Sequence, residues 1–238
     1  MSLPGRLDVG KGPRVEGIKP DGNPMLEKLR KRLQAHEPRH LRLDMPRAAV
    51  LMPIVERPEP TLLFTRRAGH LNTHSGQVAF PGGKREEADR DLLFTALRES
   101  HEEIALPPER VELLGRLSDV ISLHGILVTP YVGLIPPDLP LTPDPAELDA
   151  IFEVPLELFL EDRRHHTDVI PVNGRPHYVP SYHTQGQVIW GLSAMMLVEL
   201  LAEGFERPIS LFDEPPQGRL CYFPERLLRS PDTATRRS

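Results

Sequence analysis

Apolar and polar positions follow two different rhythms in this chain, and the change comes near residue 47. Before it, Leu26, Leu29 and Leu33 recur at helical spacing, with Lys28, Arg30, Lys31 and Arg32 mostly on the other face. Asn23-Pro24 just ahead supplies a cap and a first-turn proline, so a helix with a solvated basic face is predicted there. After it, residues 48–55 read as a strand, 56–60 as a turn and 61–65 as the returning strand. Residues 77–80 form a short strand running into Pro81-Gly82-Gly83, and about 90–105 are helical. Strands are expected near 111–118 and 125–135, a proline-rich loop at 137–147, and a strand at 148–154. His177-Tyr178-Val179-Pro180 suggests a hairpin edge. Ile189, Leu192, Met196 and Leu200 share one face of a late helix, with Gly204 just past its end. Strands on both sides of a central helix, and a long helix near the end, predict an α/β (α+β) fold in sandwiched layers.

The length, 238 residues, suits one large domain with extensions. Residues 1–22 carry scattered Gly, Pro and Lys without periodicity and are expected to be a flexible arm; 23–224 are expected to form a single domain, and 225–238 a frayed tail. With 39% hydrophobic and 26% charged residues, the composition is that of a globular chain, and its 27 prolines belong to loops. A formal charge of -5 argues against a nucleic-acid coat, which needs a basic surface, but leaves room for a small anionic ligand. The single cysteine, Cys221, excludes an internal disulfide and fits an ordinary half-buried thiol in a reducing compartment. No apolar run approaches the roughly 18 residues of a membrane span. A cytoplasmic monomer or homodimer is the expectation.

The chemistry concentrates in residues 97–106. Leu93, Leu97, Ser100 and Ile104 form one stripe that would dock on a sheet. Glu99 and Glu103 lie about 40° apart around the axis, and Glu102 about 60° from Glu99 on its other side. Three carboxylates thus share one flank. Like charges so spaced repel, and hard oxygen donors in that pattern suit Mg²⁺ or Mn²⁺; a solvated acidic face is the plainer alternative. Gly82-Gly83 lets the backbone pass close to a ligand just before this helix. His70, His74, His101, His124, His165, His166, His177 and His183 show no spacing that closes a ligand set, so no zinc site is expected; His165-His166 reads as part of a polar turn.

A strand, a glycine turn, a loop and an acidic helix together resemble the Nudix box. Gly83, Arg98-Glu99, Glu102-Glu103 and Leu106 match its pattern. One extra residue sits between Gly83 and Arg98, Asp89 stands where a Glu is usual, Ser100 replaces an aliphatic residue and Ala105 replaces the last glycine. Upstream, Leu62-Leu63-Phe64-Thr65-Arg66-Arg67, then Leu71, His74 and residues 76–83, is similar to the signature of the coenzyme A pyrophosphatases. So is the Lys-Arg-Glu-Glu-Ala-Asp wording of 84–89.

The resemblance implies a Nudix-type α/β/α sandwich with a mixed sheet between helices. It implies metal-dependent hydrolysis of coenzyme A or its thioesters to 3′,5′-ADP and a 4′-phosphopantetheine species. Glu99 and Glu103 would be metal ligands, Glu102 a further ligand or the base that orients water, and Arg98 a support. A further acid from outside the box would be Glu147, with Asp149 and Glu153 as alternatives. Arg66, Arg67, Lys84 and Arg85, with the Gly82-Gly83 turn, are candidates to meet the phosphates. The rival readings are hydrolysis of another nucleoside diphosphate derivative, such as ADP-ribose, and a non-catalytic nucleotide-sensing module.

Overall fold

The computed structural model describes residues 23–70, 76–172 and 174–222. The expected arm (1–22), the expected tail (225–238), and Leu71 and His74 of the upstream motif lie outside them.

Asn23 caps α1 (Pro24–Ala35): its Oδ1 accepts from the Met25 N–H at 3.0 Å. Leu26, Leu29 and Leu33 are buried, as their spacing predicts. The basic face is partly tied to protein acids, with Arg30 paired to Glu112 at 2.8 Å and to Glu27 at 2.6 Å. The chain continues as β1 (Arg47–Val55), β2 (Thr61–Arg67), β3 (Val78–Ala79), β4 (Gly82–Lys84), α2 (Leu92–Ile104), β5 (Glu112–Arg116), β6 (Val120–Ile121), β7 (Leu127–Ile135) and β8 (Leu148–Pro155). Then come α3 (Leu156–Leu160), β9 (His166–Val172), β10 (Arg175–Thr184), β11 (Gln187–Ile189), α4 (Gly191–Phe205) and β12 (Leu220–Tyr222).

The first sheet is mixed. β1 and β7 run parallel, from Arg47 beside Leu127 to Val55 beside Ile135. β2 pairs antiparallel with β1 and β8, β4 with β1, and β5 and β6 with β7. Side chains of β1 alternate between two cores. Ala49 and Leu51 join Leu63 of β2 and Ala96 and Ile104 of α2. Met52 and Ile54 join Leu62 and Phe64 of β2, Leu29 and Leu33 of α1, and Leu197 and Leu200 of α4. A sheet covered on both faces explains the nearly unbroken apolar run of β1. The α/β/α layering expected from the sequence is the layering observed.

Two expectations change. The late helix does not stop before Gly204; it runs to Phe205, and Glu206 makes the left-handed turn at φ 57°. Gly204 serves packing instead, since a Cβ there would sit 2.6 Å from Leu29 Cδ1, at the meeting of α1 and α4. The predicted hairpin edge at 177–180 is the middle of a second, four-stranded sheet, ordered β11-β10-β9-β12. Its parallel strand β12 arrives from beyond α4 and carries Cys221, half-buried. Among the described residues no helix is long and apolar enough to cross a membrane.

Candidate active site

Three segments meet at the acidic face: the glycine turn at β4, helix α2 and the proline-rich loop before β8. Gly82 sits at φ 149°, and a Cβ there would overlap the backbone of Ala49 and Val50 on β1. A Cβ on Gly83 would overlap the carboxylate of Glu99. The backbone therefore passes close enough for the Gly82 N–H to donate to Glu103 Oε2 at 2.9 Å.

Helix α2 starts at Asp91, whose Oδ1 accepts from the Phe94 N–H at 2.7 Å. Its buried stripe is rotated from the expected one. Leu93 and Leu97 are half-buried, while Thr95, Ala96, Ser100, Glu103 and Ile104 are buried. Small residues at Ala96 and Ser100 let the helix lie close against β1, and Ser100 Oγ is satisfied by the Ala96 carbonyl at 2.7 Å. The same rotation turns Glu103 inward to 5% exposure, whereas the Glu102 side chain remains 56% exposed. Burial pushes the Glu103 carboxyl up to about 7, against the Gly82 hydrogen bond, and Glu147 and Glu99 push it the same way. Glu99 is raised too, chiefly by burial. Carboxylates that are set deep and raise one another make a site short of positive charge.

The proline-rich loop explains how Glu147 comes to belong here. The Thr142 and Asp144 N–H groups donate to the carbonyls of Ile104 and Glu103 at 3.1 and 2.8 Å, closing the end of α2. The Asp144 carbonyl then accepts from the Glu147 N–H at 3.0 Å, and the Glu147 carbonyl from the Ala68 N–H at 2.8 Å. Glu147 is thereby placed within electrostatic range of Glu99 and Glu103. The other two outside acids are engaged elsewhere: Asp149 with Arg66 Nε at 2.6 Å, Glu153 with Arg57 at 2.7 Å and with Thr61.

Arg98 links the loop to the helix. Its Nε and Nη2 donate to the two oxygens of Asp89 at 2.9 and 3.1 Å, and its Nη1 to Glu102 at 2.8 Å. Nη2 also lies 3.0 Å from Glu99 Oε1 and 3.2 Å from the Lys84 carbonyl oxygen. Asp89 is 2% exposed and further accepts from the Glu86 N–H and Thr95 Oγ at 2.9 and 2.8 Å. The Arg98 guanidinium holds its carboxyl well below the usual carboxylate range. The role the sequence leaves open for Asp89 is thus that of a clasp for the lengthened loop.

The cations divide. Arg67 Nη1 lies 4.0 Å from Glu147, and its buried Nε has no hydrogen-bond partner among the described residues. Arg66 is paired with Asp149, Arg85 Nη2 donates to the Asp89 carbonyl at 3.0 Å, and Lys84 is exposed. Glu102 is held by Arg98 on the exposed side, whereas Glu103 is turned inward.

Ala105 closes α2 at φ 55°, ψ 30°, its N–H bonded to the His101 carbonyl. That conformation favours glycine, which the Nudix pattern has at this position. Ala105→Gly is expected to raise unfolding stability by about 0.5–1 kcal/mol, since relief of the side-chain clash is partly offset by a freer unfolded chain. Urea unfolding with an unchanged m-value would check it; a lower midpoint would refute the account of this cap.

The histidine expectation is corrected for three residues. His165, His166 and His183 converge, with ligand atoms all within 4.8 Å of one another, and His166 opens β9 instead of lying in a polar turn. The hairpin of β9 and β10 closes a sequence gap that spacing alone leaves open.

The NUDIX domain model matches residues 45–171. Relatives named "Uncharacterized Nudix hydrolase NudL" include one from Photorhabdus laumondii, 45% identical over 68% of this chain and 87% of its own length. Another, from Cronobacter sakazakii, is 44% identical over 77% of this chain and 96% of its own. The solved NUDIX domain of Shewanella oneidensis NrtR, complexed with ADP ribose, aligns with TM-score 0.40 and 20% identity over 55% of this chain and 85% of that one. With the domain match spanning more than half of the sequence and relatives this similar across most of their own length, the chain belongs to the Nudix family of hydrolases.

Proposed function

We propose that this Nudix hydrolase cleaves the pyrophosphate of coenzyme A, or of an acyl derivative, with water to give 3′,5′-ADP and 4′-phosphopantetheine. The observation that carries the hydrolytic reading is the meeting of Glu99, Glu103 and Glu147 at the Gly82-Gly83 turn. The choice of substrate rests on residues 62–83 and 84–89, whose wording is similar to the coenzyme A pyrophosphatases.

Nudix hydrolases generally use divalent metal ions, and the donor set here fits one. Glu99 and Glu103 are hard oxygen donors whose burial and mutual repulsion a Mg²⁺ or Mn²⁺ ion would relieve. Glu102 is assigned as a further donor or as the group that orients water. When bound, such an ion neutralises phosphate charge and lowers the pKa of coordinated water. The chain supplies the rest. The Gly82 N–H fixes one oxygen of Glu103, and Arg98 restrains Glu99 and Glu102 from the side. Glu147 is assigned to take a proton from the attacking water, with the Arg67 guanidinium beside it. Arg67 is the best placed of the four proposed phosphate contacts; Arg66 would have to exchange Asp149 for a phosphate, and Arg85 already braces Asp89. The working unit assigned is residues 23–224, in the cytoplasm.

The test is product chromatography after incubation with coenzyme A and Mg²⁺ or Mn²⁺, beside ADP-ribose, NADH and a metal-free control. Metal-dependent release of 3′,5′-ADP, with coenzyme A much the best substrate, is expected. Preferential cleavage of ADP-ribose or NADH would overturn the substrate, and no cleavage of any of the three would overturn the activity.

A further inference from the structure

Outside the acidic site, the second sheet gathers three imidazoles at one end of the β9–β10 hairpin. His166 opens β9 opposite Ser181 of β10, and His183 follows Ser181 two residues on, so both project from the same face. His165 precedes the strand; its backbone N–H donates to the Ser181 carbonyl at 2.8 Å, which holds it against the same corner. The His165 and His183 rings stack in parallel, 4.0 Å between centroids, and His166 meets each edge-on at 5.3 Å.

Two details of this cluster point to a ligand. Nδ1 of His165 and Nδ1 of His166 lie 3.0 Å apart. Two nitrogens on one tetrahedral ion, each bonded at about 2.0–2.1 Å, stand ~3.3 Å apart, so this pair already has nearly the spacing of two ligands. The opposite nitrogen of His166, Nε2, lies 3.0 Å from Oδ1 of Asp168, which is two residues along β9 and 5% exposed. A buried carboxylate that takes the far N–H of an imidazole fixes its tautomer and leaves the other nitrogen free for a metal. All three ligand atoms fall within 4.8 Å of one another, and the exposed His165 and His183 rings can close that distance by small side-chain rotations.

We propose that His165, His166 and His183 form a second metal site, for a divalent transition ion such as Zn²⁺, with Asp168 as the positioning residue of His166. Three imidazoles and no carboxylate ligand favour Zn²⁺ and its neighbours over Mg²⁺. Three protein ligands leave one position for water. The ion ties the start of β9 to the end of β10 and is independent of the Glu99–Glu103 site.

Zn²⁺ binding to the full-length, untagged protein is measured by titration calorimetry in excess Mg²⁺, so that hard carboxylate sites are occupied. One Zn²⁺ per chain is expected. His165→Ala together with His183→Ala should weaken it by at least about a hundredfold, and Asp168→Asn by about 10–100-fold. His177→Ala, at a histidine outside the cluster, should leave it unchanged. Zn²⁺ should also raise the thermal midpoint of the wild type but not of the double variant, whose far-ultraviolet circular dichroism should match the wild type. The proposal is overturned if the wild type takes up no Zn²⁺, if the double variant binds as the wild type does, or if Glu103→Gln abolishes the binding.

Discussion

Glu103→Gln is expected to lower metal-dependent pyrophosphate hydrolysis on the order of 10³-fold, as befits loss of a preorganised charge at the reacting centre. The substitution keeps the side chain's shape and an oxygen able to accept from the Gly82 N–H, so β4 and α2 keep their contact. What it removes is a negative charge held where burial, Glu147 and Glu99 all oppose it. The metal-free protein therefore loses nothing in stability and is expected to unfold at the same temperature or a higher one, the usual relation between a functional charge and fold stability. Stabilisation by Mg²⁺ or Mn²⁺ should fall with the activity. Turnover measured beside two thermal scans, with and without metal, separates this from a structural defect. Near-wild-type turnover would remove Glu103 from the site.

Much of the first sheet was legible because its elements are strongly patterned. The α1 leucines recur at helical spacing behind a cap, and β1 and β2 are apolar runs bounded by turn residues. The carboxylates of α2 were visible because helical geometry alone puts them on one flank. How deeply each lies was not, since that depends on Ala96 and Ser100 being small enough to bring the helix down on its Glu103 side. The second sheet was hidden for a different reason. Its strands carry Pro171, Pro176 and Pro180, which argue against a central strand, and β12 is recruited from beyond α4. The histidine corner was hidden with that sheet, because the β9–β10 hairpin brings His183 back to His165 and His166. The Asp89 clasp was hidden differently: the loop folds back on α2, so a pairing with Arg98 follows from no helical or strand period.

Breaking the Asp89–Arg98 clasp should cost the fold substantial stability near the site. Asp89→Asn is expected to cost about 3 kcal/mol, at the low end for loss of one partner from a buried ion pair, because Arg98 retains Glu102 and Glu99. For a domain of this size that lowers the thermal midpoint by about 6–12 °C. The pH dependence identifies the cause. Arg98 depresses the Asp89 pKa in the folded state, so the carboxylate's contribution is fully present above the unfolded value of about 3.9. It is lost progressively as pH falls below that value towards the lower, folded one. The stability gap between wild type and variant should therefore be constant at neutral pH and narrow below about pH 4. Activity should fall less than in Glu103→Gln, since Asp89 acts through the loop and through the arginine that restrains Glu99. A gap that stays the same width down to pH 2 would mean that the lost charge is not what the fold requires at this position.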